Sequence, residues 1–199
     1  MEIWDVAAVM QLTSLAGRHW NWRPFRLLPT AERAGLIETR SMIRVEAQYA
    51  LADCPPPEIL LVPGGYGARV AAQNRALTDW CARVWPQLDV ALAIGSGALV
   101  LGAAGLLEGE EVAVTSDNKE LLSTSMPGAR CVESNGVVRS PSGKLLSGGS
   151  SAAAVELGLA LVERCLGARL AGNLRTSLAP PPTTRLELTD QQLKLPPRR

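Results

Sequence analysis

The sequence predicts an α/β protein with a doubly wound, mostly parallel sheet carrying helices on both faces. Two short, unbroken apolar runs carry that expectation, Glu58-Ile59-Leu60-Leu61-Val62 and Val90-Ala91-Leu92-Ala93-Ile94. Strands covered on both faces read as continuous hydrophobic runs rather than alternating ones. Each run ends in a glycine turn, Pro63-Gly64-Gly65 after the first and Gly95-Ser96-Gly97 after the second, and a stretch with helical spacing follows. Strand, helix, strand, helix with glycine-rich joints is the pattern that builds a parallel sheet.

The remaining elements follow in chain order. Val6 to Leu15 reads as helix, and Phe25-Arg26-Leu27-Leu28 and Met42-Ile43-Arg44-Val45 as candidate strands. Ala72 to Val84 has helical spacing with Leu77, Trp80, Cys81 and Val84 on one face. Ala98 to Ala104 is a small-residue helix, and Val112-Ala113-Val114 a short strand. Val137-Val138 pairs with Lys144-Leu145-Leu146 as a hairpin around Pro141-Ser142-Gly143. Ser150-Ser151 are expected to cap an apolar helix from Ala152 to Leu166, stopped by Gly167. From Pro180 the composition shifts to proline, threonine and charge. Residues 1–178 are therefore expected to form the folded domain and 179–199 a Pro-rich C-terminal arm.

Composition narrows the function classes. With 199 residues the chain is long enough for one sizeable core and short for two. A net charge of +1 offers no basic field for nucleic acid or an anionic membrane, so neither is an expected partner. The run Val90 to Ala104 is too short and too glycine-rich to span a bilayer. A single histidine, His19, argues against a zinc site of ordinary type, and no metal or other cofactor is expected. The 4 cysteines, Cys54, Cys81, Cys131 and Cys165, form no CxxC pair and sit beside apolar residues, as small buried hydrophobes do. No secretory signal opens the chain, so a reducing cytoplasm is the expected compartment.

In open parallel sheets ligands bind outside the carboxyl ends of the strands, so both glycine turns are expected to line one crevice. Gly64, Gly65 and Gly97 let backbone N–H groups approach a ligand oxygen closely, although glycine turns after strands also serve plain chain reversal. Tyr66, next in sequence, either rims that crevice or caps it.

The run Ala52-Asp53-Cys54-Pro55-Pro56-Pro57-Glu58 through Gly65, then Ala93-Ile94-Gly95-Ser96-Gly97-Ala98-Leu99-Val100-Leu101, then Ala104-Gly105-Leu106-Leu107-Glu108-Gly109, resembles the DJ-1/PfpI family of the class I glutamine amidotransferase-like superfamily. The Ser147-Gly148-Gly149 turn and the helix ending Leu161-Val162-Glu163-Arg164 match as well, so the resemblance covers roughly Glu2 to Leu178. It is similar above all to the branch holding isocyanide hydratases and the sensor domains of AraC-like regulators. The resemblance implies a flavodoxin-like fold, a homodimer and a small-molecule ligand.

It also assigns positions. The family's elbow carries a cysteine followed by Thr-Gly-Ala, and the cysteine falls on Gly95 and the threonine on Ser96. The acidic partner falls on Asp5, and the family's histidine near Thr115 or Ser116. The acid is kept; the nucleophile and the histidine are gone. An elbow residue is held in strained backbone so that its side chain projects, and glycine relieves that strain. Family members also begin with a hydrophobic strand, whereas only Met1 to Trp4 precede Asp5; either the true N-terminus lies upstream or another segment fills the slot, with Thr184 to Thr189, which alternates like a strand, a candidate substitute.

Asp5 admits two readings, a general base toward water or substrate, or a helix N-terminal carboxylate favoured by the dipole. Ser96 is a hydroxyl nucleophile only if a base lies nearby, and with none evident it is expected to cap the next helix. Trp20 and Trp22 form either an interface patch or a cluster buried beneath the Arg23-Pro24 turn. Three functions remain open at this point. The leading one is a domain that has lost cysteine-dependent catalysis and acts as a small-molecule-binding, regulatory or structural dimer. The second is a cysteine-independent hydratase or hydrolase using Asp5 and water, with backbone donors from Gly65 and Ser96. The third is a detached sensor domain of an AraC-like regulator.

Overall fold

The structure, a computed structural model, describes residues 1–18 and 21–178. His19, Trp20 and the 179–199 arm, with its candidate strand Thr184 to Thr189, lie outside the described residues.

The chain opens with helix α1 (Ile3–Leu15). A two-residue strand β1 (Thr30–Ala31), an antiparallel ribbon of β2 (Gly35–Glu38) and β3 (Arg44–Ala47), and a short β4 (Tyr49–Ala50) parallel to β1 follow. Strand β5 (Ile59–Val62) then leads through α2 (Tyr66–Ala71) and α3 (Arg75–Val84) into β6 (Val90–Ile94). Helix α4 (Ala98–Ala103), β7 (Glu111–Val114), α5 (Lys119–Ser125) and β8 (Arg130–Glu133) come next. The hairpin β9 (Val137–Arg139) and β10 (Leu145–Gly148) leads into α6 (Ala154–Leu166) and α7 (Ala168–Leu178).

The main sheet has the order β5-β6-β10-β9, parallel except for the antiparallel β9–β10 hairpin. β7 and β8 form a parallel ribbon tied to that sheet, where the Ala113 N–H donates to Ser147 Oγ at 2.9 Å. The apolar β6 is buried along its whole length because it feeds two cores. Ala91 and Ala93 face the cluster of Trp80, Cys81 and Val84 from α3 with Leu99 and Leu101 from α4. Val90, Leu92 and Ile94 face Ala8 and Val9 from α1 with Leu157 and Leu161 from α6. Alternate side chains on a strand point to opposite faces, so one unbroken apolar run supplies both layers of the doubly wound fold.

Several sequence expectations need correction. Phe25 to Leu28 is not a strand. Pro24 and Pro29 bracket the run and remove the N–H donors a ladder needs there. Phe25 instead inserts between the α1 and α6 layers as a half-buried packing residue. The helix expected from Ala72 begins at Arg75, because Asn74 caps it by accepting from the Leu77 N–H at 3.3 Å. Thr78 is buried in that helix and Leu77 only half-buried. Neither Ser150 nor Ser151 caps α6 through its side chain; a single 3₁₀ turn, Ser151–Ala153, feeds the helix. Gly167 does end it, at φ 93. Of the cysteines only Cys81 is buried, whereas Cys54 and Cys131 are half-buried and Cys165 is exposed. Trp22 is largely in solvent. Among the described residues no helix is long and apolar enough to cross a membrane.

The ribbon turn is under strain. Met42 N–H donates to the Thr39 carbonyl (3.0 Å) and Thr39 N–H to the Ile43 carbonyl (2.9 Å), which places Met42 at φ 63. That is the bulge position usually held by glycine, and a left-handed conformation costs a side chain about 1–2 kcal/mol. Met42→Gly is expected to raise stability by roughly 0.5–1 kcal/mol once glycine's extra unfolded-state entropy is subtracted. A shift in the urea midpoint without a change in slope checks it.

Candidate functional site

The two glycine turns meet at the carboxyl ends of β5 and β6. The Gly65 N–H donates to Ser96 Oγ at 3.0 Å, and the Ser96 hydroxyl donates back to the Gly65 carbonyl at 3.0 Å. The side chain is thus committed to holding the two turns together. It caps no helix, which corrects the expectation for Ser96. It also occupies the Gly65 N–H, one of the two backbone donors a water-activating site was expected to offer.

Gly97 makes the meeting of the turns possible. A Cβ on Gly97 would run into the Val62 carbonyl oxygen and lie 2.9 Å from that of Pro63. Gly64 is equally crowded, since a Cβ there would lie 2.6 Å from the Ile94 carbonyl oxygen and 3.2 Å from Asp5 Oδ2. Both turns therefore pack backbone against backbone.

Asp5 sits in the first turn of α1 and is fully buried. Its Oδ2 accepts from the Gly64 N–H at 2.8 Å, across 59 residues of sequence. Oδ1 is buried with no hydrogen-bond partner among the described residues. Burial pushes this carboxyl above its ordinary range; the nearby Ser151 hydroxyl and the Gly64 N–H oppose the rise, and Glu2 adds to it. A helix N-terminus favours a carboxylate, but here desolvation wins.

Gly95 turns at φ 50, the left-handed conformation that glycine adopts at little cost. A Cβ built there would meet only the Gly149 carbonyl oxygen, at an ordinary contact distance of 3.5 Å. The corner thus has room for a side chain that the residue does not supply. Thr115 reaches this corner indirectly. Its N–H donates to Asn118 Oδ1 at 2.9 Å, while Asn118 Nδ2 donates to the Gly149 carbonyl at 3.5 Å. Tyr66 opens α2 beside the turn with 70% of its surface exposed, so it edges the crevice and does not close over it.

The structure therefore brings Asp5, Gly64, Gly65, Gly95, Ser96 and Gly97 together, with Thr115 linked to Gly95 only through Asn118 and Gly149. Glu2, Asn118, Gly149 and Ser151 belong to the same neighbourhood, although the sequence marks Gly149 only as part of a turn, Ser151 only as a helix cap, and none of the four as a site residue. Only Asn118 carried a usable signal, as an amide able to fold back on a nearby backbone N–H in a polar turn. Among the described residues no cluster of His, Cys, Asp or Glu is arranged to hold a metal ion. Cys54 lies at the opposite, amino end of β5, where it accepts from the Thr30 hydroxyl at 3.2 Å.

The chain is thus a doubly wound α/β domain of the flavodoxin-like class, with two glycine turns meeting at the carboxyl ends of β5 and β6 and a buried carboxyl bonded to the first of them. More narrowly, the chain belongs to the DJ-1/PfpI family, whose model matches residues 29–164. It is 30% identical over 166 residues to an isonitrile hydratase of Pseudomonas putida, spanning 82% of this chain and 67% of that protein. Among solved structures it is similar to a ThiJ/PfpI family protein from Pseudomonas syringae, with a TM-score of 0.78 at 22% identity over 92% of this chain and 74% of the other. An AraC family transcriptional regulator from Pseudomonas putida matches with a TM-score of 0.71 at 20% identity, covering 89% of this chain and 94% of that one.

Proposed function

We propose that this chain is a DJ-1/PfpI-family domain that has given up cysteine-dependent catalysis and acts as a cytoplasmic, small-molecule-binding, regulatory or structural homodimer. One observation carries the reading. The left-handed corner between Ile94 and Ser96, where the resemblance puts the family's nucleophile, is occupied by glycine with open space beside it. Ser96, the adjacent hydroxyl, is engaged on both sides by Gly65 and meets no base among its hydrogen-bond partners. A buried Asp5, its carboxyl pushed above the ordinary range and held by the Gly64 N–H, suits the binding of a small polar group better than the activation of a thiol that is not there.

The test is a restoration. Wild-type protein is expected to turn over neither a simple isonitrile nor an α-oxoaldehyde. Gly95→Cys is expected to fold, at a cost of about 1–2 kcal/mol for the left-handed side chain, and to acquire measurable turnover of at least one of them. Robust wild-type turnover would overturn the reading.

A second reading has a specific observation behind it, the orphaned Oδ1 of Asp5 in a chain 30% identical to an isonitrile hydratase. Here Asp5 would activate water directly, without a covalent intermediate. The engagement of the Gly65 N–H by Ser96 weighs against it. Wild-type isonitrile hydration that disappears in Asp5→Asn would decide for this alternative.

A further inference from the structure

The pole opposite the glycine turns holds a cavity of about 520 Å³. It lies at the amino ends of β5 and β6, where the loop entering β5 passes the end of α3, and Leu51, Cys54, Trp80, Arg83, Val84 and Gln87 line it. The volume suits a small molecule. Trp80, Arg83, Val84 and Gln87 come from α3 and the 3₁₀ turn that follows it. They fall at i, i+3, i+4 and i+7, so one stripe of the helical surface supplies half of the wall.

The walls are largely apolar, and the polar groups in them are mostly donors. Trp80 is only 6% exposed, yet its indole N–H has no acceptor among the described residues and is not one of the fully enclosed orphan atoms. This N–H meets open space, and the cavity is the open space that Trp80 borders. A buried tryptophan N–H ordinarily finds a partner. Arg83 takes part in none of the ion pairs among the described residues, with Asp79 one turn back on α3 and Asp53 beside the lining both out of reach. Gln87 adds an amide. Among the described residues no carboxylate lines the cavity. The Cys54 thiol is already engaged, accepting from the Thr30 hydroxyl at 3.2 Å and donating to the Pro55 carbonyl at 3.3 Å.

A free indole N–H and a lone guanidinium above an apolar floor suit a ligand with an anionic acceptor at one end and hydrocarbon at the other. The single cation sets the charge. A carboxylate matches a guanidinium fork, whereas a phosphate dianion would bring a second charge that nothing in the lining meets.

We propose that this cavity is a second ligand site, separate from the glycine-turn crevice, and that it takes a small monocarboxylate with an apolar body. Arg83, Gln87 and the Trp80 N–H receive the carboxylate, while Leu51 and Val84 cover the body. The site stands whether or not the crevice retains catalysis, because the two share no residue.

Phenylacetate is the probe, and phenylacetamide, of the same shape without the charge, is its control. Binding is read by calorimetry and by the rate at which iodoacetamide alkylates Cys54, followed by peptide mass spectrometry. Phenylacetate is expected to slow alkylation of Cys54 and leave that of the exposed Cys165 unchanged. Phenylacetamide is expected to bind at least roughly tenfold more weakly, through loss of the charge-assisted pair. Arg83→Gln, at an exposed position of α3, is expected to weaken phenylacetate at least roughly tenfold with an unchanged urea midpoint. Trp80→Phe keeps an apolar wall without the N–H and is expected to cost about fivefold; should it fail to fold, Arg83→Gln still decides. Equal affinity for acid and amide, or an Arg83→Gln variant that binds like wild type, would overturn the proposal. So would the absence of binding in the millimolar range, or binding lost in Asp5→Asn but kept in Arg83→Gln, which would put the probe in the crevice. Inorganic phosphate that displaces phenylacetate at equal concentration would overturn the choice of a monocarboxylate.

Discussion

Gly97→Ala is expected to destabilise the protein by about 3 kcal/mol, and Gly97→Val to prevent folding. Gly97 has ordinary helical angles, φ -58 and ψ -29, so propensity alone would favour alanine by about 1 kcal/mol. The close approach decides the sign. The new methyl would collide with the Val62 carbonyl, which is backbone of β5 and cannot swing aside. Overpacking typically costs about 1–3 kcal/mol, and a collision with backbone stands at the upper end. Relief would require parting the turns that Ser96 holds together, so any folded Gly97→Ala should also show altered Gly65 amide exchange. Urea denaturation measures the first effect and hydrogen exchange the second. A stabilised Gly97→Ala would show that β5 and β6 do not meet as described.

The second large effect concerns Asp5 and pH. Its carboxyl has a raised pKa in the folded state, so the native protein holds this proton more tightly than the unfolded chain. Between the ordinary value of 3.8 and the raised one, the folded state binds more protons and stability falls as pH rises. The contribution is fully present below that ordinary value and is lost once pH passes the folded one. Each unit of elevation removes about 1.4 kcal/mol over that window. Asp5→Asn keeps an acceptor for the Gly64 N–H but cannot ionise. Stability of the variant is expected to decline less with rising pH, so that it gains on wild type toward neutrality. Parallel guanidinium titrations from pH 4 to 8 check this. Curves that run parallel throughout would mean that Asp5 is solvated and ordinary.

The sheet was legible in the sequence for a physical reason. Val90 to Ile94 is apolar at every position because both faces are covered, and such a run announces itself without context. The crevice was legible only in part. Glycine turns after apolar strands mark where backbone bends, but the partners meeting there are far apart in the chain. The bond from Gly64 to Asp5 spans 59 residues and the Gly65–Ser96 pair 31. Local patterning cannot supply such pairings, and the resemblance to a known family located Asp5. The role of Ser96 is hidden for the same reason, since its partner Gly65 is remote and the nearby helix start is the only use for a hydroxyl that the local sequence shows. The β2 and β8 strands, and the short helices α2 and α5, were missed because four to seven residues on a half-exposed surface carry too little periodicity to read.

A glycine at the corner has one more consequence, for how the crevice meets oxidants and electrophiles. A thiol there would climb the ladder from sulfenic to sulfonic acid under peroxide. Gly95 has nothing to oxidise or alkylate. Cys81 is buried, its thiol pushed up to about 11, which keeps it protonated and inert. The exposed Cys165 sits at the far end of α6, next to Arg164, whose guanidinium grips the Asp89 and Gly143 carbonyls at the amino ends of the strands. Of the four thiols Cys165 is the exposed one, and it lies on the side of the molecule away from Asp5, its pKa pushed up by partial burial. The crevice residues Asp5, Gly64, Gly65, Gly95, Ser96 and Gly97 include no sulfur for an oxidant to reach.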